Sequence, residues 1–493
     1  MINILFIKLY FYNKHIIYFK GDALIMMYKT HKFDHKVDED VIFASKDSEF
    51  ILPKYKIPKE QSDSKAILEI VKDELFLDGN ARQNLATFTQ TYEDEYIKEI
   101  MEIGMNKNMI DKDEYPQTAE IENRIVSMLA DLWNSPNELT SIGTSTVGSS
   151  EACMLGGLAM YHRWKMKRIA EDKDISKPNL VTGPVQVVWE KFARYWGIEL
   201  REIPMEEGRY YMDPDSMLEY IDENTIGVVT TLGLTFTGEY EPIEKLSHAL
   251  DKLEEKTGLN IDMHIDAASG GFLAPFCSPK IKWDFRLPRV KSISASGHKF
   301  GLAPLGCGFV VWRDEKDLPD DLIFHVNYLG GDMSVFQLNF SRPAGPIIAQ
   351  YYQLLRLGFD GYKKVHMNCY KTAQYLAKEI EKLGIFEIIF DGNPNKGIPA
   401  VTWRLKEDSE VSFNLYDFAD KLRSRGWLVP AYSLPKYADN VVVQRVLVRQ
   451  GFGLDMASLL MEDIKRTLKY FETHRVVSHL NEEDVASLNH TGR

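Results

Sequence analysis

Between residues 80 and 370 two kinds of stretch alternate along the chain. In the first kind a short span carries apolar or β-branched residues without a helical repeat. Such runs occur at 225–231, which is rich in β-branched residues, and at 259–266, 290–294 and 308–312. They predict strands buried on both faces. In the second kind apolar residues return every third or fourth position, as at 149–169 behind Gly148 and at 242–256, where Pro242 suits the first turn of a helix. Strands alternating with helices predict an α/β fold, a mainly parallel sheet flanked by helices. In such sheets ligands sit beyond the carboxyl ends of the strands.

Outside that region the pattern changes. Residues 27–80 are polar with few periodic runs, apart from a helix predicted over 65–74 behind the capping segment Gln61-Ser62-Asp63-Ser64. Beyond 370, helices predicted at 372–383, 414–425 and 456–473 alternate with strands at 386–390, 399–405 and 441–448. The expected organisation is an N-terminal segment (27–80), a large domain (81–370), a smaller C-terminal α+β domain (371–475) and a polar, mobile tail (476–493). Residues 1–26 are rich in Ile, Phe and Tyr, but Lys8, Lys14 and His15 interrupt them, so they hold no unbroken apolar span of about 20 residues. Two readings of this stretch stand: an upstream extension before a usual start at Met26 or Met27, or an interfacial or partner-binding segment.

Composition narrows the class. A length of 493 residues with 44% hydrophobic and 27% charged residues is that of an ordinary soluble protein of two or three domains. A net charge of −13 argues against nucleic acid or anionic membrane as partner. The four cysteines (Cys153, Cys277, Cys307, Cys369) are widely separated, with no zinc spacing and no disulfide framework, as in a cytoplasmic protein with reduced thiols.

The candidate chemistry lies in two segments. Ser294-Ala-Ser-Gly-His-Lys-Phe-Gly-Leu-Ala-Pro-Leu305 follows a predicted strand and places Lys299 after His298 among small residues, which let a bulky cofactor approach the backbone. A crowded lysine amine suits Schiff-base chemistry, because desolvation favours its neutral, nucleophilic form. Upstream, Met263-His-Ile-Asp-Ala-Ala-Ser-Gly-Gly271 is an apolar strand that ends in Asp266. A lysine for an aldehyde and an aspartate for a pyridinium nitrogen are the two anchors that pyridoxal 5'-phosphate needs. Asp266 also fits a simple turn cap, and His264 with Asp266 a metal pair, although no third ligand stands nearby. Gly148-Ser149-Ser150-Glu151-Ala152 opens a helix whose N–H groups suit either a phosphate or ordinary capping. Arg445, a charge inside the apolar strand 441–448, wants a carboxylate or phosphate, from a ligand or from a structural ion pair.

Taken with Leu77-Asp-Gly-Asn-Ala-Arg-Gln-Asn-Leu-Ala-Thr-Phe88 and Asn339-Phe-Ser-Arg-Pro343, these stretches make the chain resemble the PLP-dependent group II decarboxylases, and among them the bacterial glutamate decarboxylases, from about residue 70 to about 475. The resemblance implies the PLP-dependent transferase type I fold (aspartate aminotransferase-like). It also implies decarboxylation of L-glutamate to 4-aminobutyrate and CO2, with one proton consumed per turnover and a use in acid resistance. Lys299 would bond the cofactor covalently, His298 would stack on its ring, Asp266 would hold the ring nitrogen, and Ala268 would pack on the other ring face. Gln186 and Thr235 would lie beside it. Ser149, Ser150 and Ser296 would hold the phosphate, with Ser341 reaching a neighbouring subunit's site in a homo-oligomer, a dimer or a hexamer built from dimers. Thr87, Phe88, Asn108 and Asp111 match the pocket for the distal carboxylate, Arg445 the group that takes the α-carboxylate, and Tyr328-Leu329 a flap over the site. The same fold also hosts decarboxylases and lyases of other amino acids, and a non-catalytic protein of this fold is a third reading, which the intact Lys299, Asp266 and His298 oppose. The first 70 residues and the tail depart from the family. The tail keeps His490, which is read either as a pH gate or as a histidine without a role. With no tryptophan and few basic residues after Arg475, the tail argues against calmodulin as partner.

Overall fold

The computed structural model describes residues 52–136, 142–327, 333–482 and 484. Tyr328, Leu329 and His490, the expected flap and tail histidine, lie outside the described residues, as does the 1–26 stretch. The chain divides after Gly79 into two units. In the first, the predicted helix forms as α1 (Ser64–Leu75), capped by Asp63, whose Oδ1 accepts from the N–H groups of Lys65 (3.0 Å) and Ala66 (3.1 Å).

In the second unit α2 (Ile97–Gly104) and α3 (Pro116–Leu132) precede the main sheet. The chain then alternates: β1 (Ile142–Thr146), α4 (Ser149–Ala170), β2 (Asn179–Thr182), α5 (Val187–Trp196), β3 (Glu199–Glu202), α6 (Pro214–Glu219), β4 (Thr225–Thr231), α7 (Ile243–Thr257), β5 (Met263–Asp266), α8 (Ala274–Cys277), β6 (Val290–Ser296) and β7 (Gly308–Trp312). The strands form one seven-stranded sheet in the order β1-β7-β6-β5-β4-β2-β3. It is parallel except at β7, which runs antiparallel to both β1 and β6. Every residue of β4 and β5 is buried, as expected of central parallel strands covered on both faces. The covering helices are amphipathic: α7 turns Ile243, Leu246 and Leu250 inward and stops at Gly258, whose left-handed φ of 77° suits glycine.

A hairpin of β8 (Phe324–Val326) and β9 (Met333–Val335) leads to the long helix α9 (Gly345–Glu381), which bends at Gly358 (φ 56°). The four-stranded antiparallel sheet that follows has the order β10-β11-β13-β12, from β10 (Phe386–Phe390), β11 (Ala400–Leu405), β12 (Ala431–Ser433) and β13 (Val442–Leu447). Helices α10 (Leu415–Arg423) and α11 (Leu454–Thr473) complete this part.

Several expectations shift at the edges. The strand predicted over 259–266 begins only at Met263, because the chain leaves α7 through the left-handed turn at Gly258 and Asp262 is engaged by Arg163 (3.1 Å). The helix predicted over 372–383 is the end of α9, which runs through residue 370 without interruption. Its apolar face changes partners there, from α2, α3 and α8 to β10 and β11. Among the described residues no helix is long and apolar enough to cross a membrane.

Candidate active site

The carboxyl ends of β1, β2, β4, β5 and β6 converge on one cavity of about 420 Å³. Its lining includes Phe88, Ser149, Ser150, Gln186, Thr231, Thr235, Asp266, Ala268, Ser269, His298 and Lys299. The Lys299 loop enters it directly after β6. Its tight path depends on Gly297, where a Cβ would meet Cys307 Sγ and the Gln350 amide, and on Leu302, held at φ 64°. The Lys299 amine lies 3.5 Å from Ser269 Oγ and 4.9 Å from the centre of the Phe88 ring. Burial lowers its pKa, against the opposing charge of Asp266, which shifts the amine toward its neutral, nucleophilic form.

Asp266 closes the floor. It is 4% exposed; its Oδ2 accepts the indole N–H of Trp189 (3.0 Å) and its Oδ1 the backbone N–H of Ala268 (3.1 Å). His298 receives the Cys307 N–H at Nδ1 (3.4 Å), which leaves the ring's proton on Nε2. Burial, then the neighbouring Lys299 charge, takes its pKa down to about 4, so the ring is neutral at physiological pH. At the other wall α4 begins at Gly148 with no side-chain cap. Gly148, Ser149 and Ser150 line the cavity there, and the first N–H groups of such a helix suit an anion. Glu151, the acidic residue of that turn, also lines the cavity, with its carboxylate engaged by the backbone N–H groups of Val147 (3.0 Å) and Asn339 (2.9 Å).

Arg445 projects from β13 and is 5% exposed. It donates to the Ala86 carbonyl (2.9 Å) and lies over the Phe88 ring at 4.5 Å. Its Nε has no partner, and among the described residues no carboxylate pairs with it. Arg445 is not itself in the cavity lining and reaches it through Phe88, which is; Thr231 lines the cavity, and among the described residues its buried hydroxyl has no partner. A cavity with an uncapped helix start, a desolvated amine, a buried carboxylate and unpartnered polar atoms fits a phosphorylated pyridoxal and a carboxylate-bearing substrate.

The remaining expected residues fall less centrally. Gln186 lines the cavity, but its Oε1 caps α5 by accepting the Val188 N–H (2.7 Å). Ser296 is fully buried with an unpartnered Oγ and is not in the lining. Thr87 sits beside Phe88, its Oγ1 accepting the Thr89 N–H (3.2 Å). Asn108, Asp111 and Ser341 gather elsewhere: the Asn108 amide donates to Ser341 Oγ (3.3 Å), and its oxygen accepts the Arg342 N–H (3.0 Å). None of the three lines the cavity.

Four contributors carried no clear signal in the sequence. Trp189 and Ser269 hold the two anchors. Arg449 ties down the loop that carries Thr87 and Phe88, by bonds to the carbonyls of Asn84 and Thr89 and to Thr91 Oγ1. Glu241, buried behind the end of β4, accepts the N–H groups of Thr231 (2.7 Å) and Met212 (3.0 Å), while burial pushes its pKa up to about 7. Only Ser269 was findable, by its position three residues after Asp266 in a run of small residues.

Comparison with known proteins agrees with this geometry. The model of the pyridoxal-dependent decarboxylase conserved domain matches residues 53–406. A glutamate decarboxylase of Aliivibrio fischeri is 56% identical over 451 residues, covering 92% of this chain and 97% of that protein. One from Lactococcus lactis subsp. lactis is 45% identical over 462 residues, covering 93% and 98%. The solved structure of Lactobacillus brevis glutamate decarboxylase superposes with a TM-score of 0.84 at 43% identity, covering 88% of this chain and 99% of that one. A sphingosine-1-phosphate lyase of Burkholderia pseudomallei, 21% identical, shares the fold with a TM-score of 0.71. The chain belongs to the pyridoxal-dependent decarboxylase family.

Proposed function

We propose that this protein decarboxylates L-glutamate to 4-aminobutyrate and CO2, with pyridoxal 5'-phosphate as cofactor. The observation that carries this reading is the pairing, across one cavity, of a desolvated Lys299 amine with the buried Asp266 carboxylate. When bound, the cofactor supplies an electron sink for the pair left at Cα as CO2 departs. The chain does the rest. The Lys299 amine would be the nucleophile, the Asp266 carboxylate would accept a hydrogen bond from the ring nitrogen and hold that nitrogen protonated, and the neutral His298 ring would offer a flat face for stacking. The first turn of α4 takes the phosphate. Arg445, with its free Nε, takes the α-carboxylate and so orients the scissile bond, an effect worth several kcal/mol. Thr87 and Phe88, held by Arg445 and Arg449, form the near wall for the distal carboxylate.

Each turnover replaces CO2 by a proton at Cα, so the reaction consumes one proton and suits a role in acid resistance. A cytoplasmic location agrees with four free cysteines. Residues 81–370 form the cofactor-binding domain in this reading, and 371–475 the smaller domain that brings in Arg445. The working form is a homo-oligomer, a dimer or a hexamer built from dimers. Ser341 stands exposed, flanked in sequence by the exposed Leu338 (47%) and Phe340 (38%), as a contact with a second copy requires.

The test is CO2 release from a panel of amino acids with added cofactor. L-Glutamate should exceed L-aspartate, one methylene shorter, by at least about 30-fold, because an unmet charged contact costs about 2–5 kcal/mol. Equal rates on aspartate or tyrosine would overturn the glutamate assignment.

A further inference from the structure

Behind Asp266 runs a line of polar side chains that the reaction as described leaves unused. His264 lies two residues earlier on β5, on the same strand face, and is fully buried. The Trp189 indole packs against it with ring centroids 5.2 Å apart. Helix α4 makes room for it through Gly156, where a Cβ would lie 2.5 Å from the ring. The strand register sets His264 beside Ser292 and Asp266 beside Ser294. His264 Nδ1 is accordingly 2.7 Å from Ser292 Oγ, and Nε2 is 3.1 Å from Ser294 Oγ. Ser294 Oγ lies 3.2 Å from Cys153 Sγ. Ser294 is the register partner of Asp266, so the thiol bonded to it stands next to that carboxylate; burial first, then the carboxylate's charge, raises the thiol's pKa well above normal.

The direction of every hydrogen bond in this line follows from its end. A carboxylate only accepts, so the Cys153 S–H points at Asp266. The sulfur then accepts the Ser294 O–H, and Ser294 Oγ accepts the His264 Nε2–H. Neutral imidazole has one donor and one acceptor, so Nδ1 accepts the Ser292 O–H. Burial takes the His264 pKa down to about 3, which keeps the ring neutral as this order requires. Four polar side chains placed where apolar ones would pack more cheaply, all donating toward one carboxylate, call for a role at that carboxylate.

We propose that Ser292, His264, Ser294 and Cys153 form a one-way hydrogen-bond relay that, with Trp189, fixes the Asp266 carboxylate in the orientation that receives the cofactor's ring nitrogen. They are positioning residues, and the inference rests on the reading that the cavity holds pyridoxal 5'-phosphate. It is tested by binding, not turnover. Cofactor-free protein is titrated with pyridoxal 5'-phosphate and with its carbocyclic analogue, in which CH replaces the ring nitrogen. The wild type should prefer the natural cofactor. Cys153→Ala and Ser294→Ala should each weaken the natural cofactor about tenfold and the analogue by less than about twofold, since hydrogen bonds to charged groups are the strong ones. Cys153→Ser keeps a donor of similar size and should retain the wild-type preference, which separates the relay from a packing defect. Equal weakening of both ligands, or no change in either, overturns the relay. A wild type that binds the two ligands equally, or neither, overturns the cofactor reading itself.

Discussion

The floor of the cavity and the corner around Ser341 are built by opposite means. On the floor, Thr231, Asp266 and Ser294 stand in register on three adjacent strands, and Asp266, Trp189 and His264 are at most 4% exposed. Their positions are set by backbone ladders deep in the protein. In the corner, Asn108, Asp111 and Ser341 come from two loops, are half-buried or exposed, and bond mainly to each other and to loop backbone. The difference teaches where this chain fixes geometry by itself. Chemistry that needs positions held within a fraction of an ångström rests on strand ends; residues on loops keep a free face for a second surface.

Removing a floor anchor should therefore have the largest effect. Lys299→Ala should lower CO2 release by at least about 1000-fold, because among the described residues no other amine lies in the cavity lining to act as nucleophile. Single-turnover assays with saturating cofactor check this. A variant that keeps a tenth of wild-type turnover would mean that the floor does not carry the chemistry, and the contrast with the corner would collapse.

How much was legible in the sequence follows the same division. Strands 225–231, 308–312 and 386–390 were readable to the residue because short spans rich in β-branched or aromatic residues end sharply at polar or turn residues. Lys299, Asp266 and the Ser149-Ser150 helix start were legible because each combines an element boundary with a specific side chain. Trp189 was not: it is one aromatic residue among several in α5, and only the packing of that helix brings its N–H to Asp266. Arg449 was hidden for a related reason. It bonds backbone carbonyls some 360 positions away, and carbonyls leave no mark on a sequence. The α9 boundary was missed because a helix that changes packing partners midway keeps its period while its neighbours change.

The floor's burial also predicts a pH dependence that the corner should lack. His264 and His298 have folded pKa values lowered from 6.5 to about 3 and about 4. Between those values and 6.5 the unfolded chain binds protons that the folded one does not, so stability is complete above 6.5 and is lost as pH falls through the window. For His264 alone the loss from pH 6.5 to 5 is about 2 kcal/mol. Denaturant midpoints measured at both pH values should converge in His264→Gln relative to wild type, whatever that variant's stability at neutral pH. An unchanged pH difference would show that the histidine is not held neutral, and the floor would be less dry than its burial indicates.

The smallest effect should come from the corner. Ser341 is exposed and makes one neutral side-chain hydrogen bond, at 3.3 Å, so within a single chain its loss is worth about 1 kcal/mol or less. Ser341→Ala should therefore slow turnover by no more than about tenfold, with an unchanged denaturant midpoint. What the residue does is decided by mixing. In hybrids of Lys299→Ala and Ser341→Ala chains, every intact Lys299 sits in a chain that lacks Ser341, so a hydroxyl acting within its own chain leaves those sites slow. If Ser341 instead serves the neighbouring subunit, the Lys299→Ala partner supplies it. Activity per intact Lys299 should then return to the wild-type level in the hybrid. Recovery is the outcome we expect, since the hydroxyl lies outside its own chain's cavity lining. Persistent slow turnover in the hybrid would place Ser341 in its own subunit's site and turn the corner into a distant part of the floor.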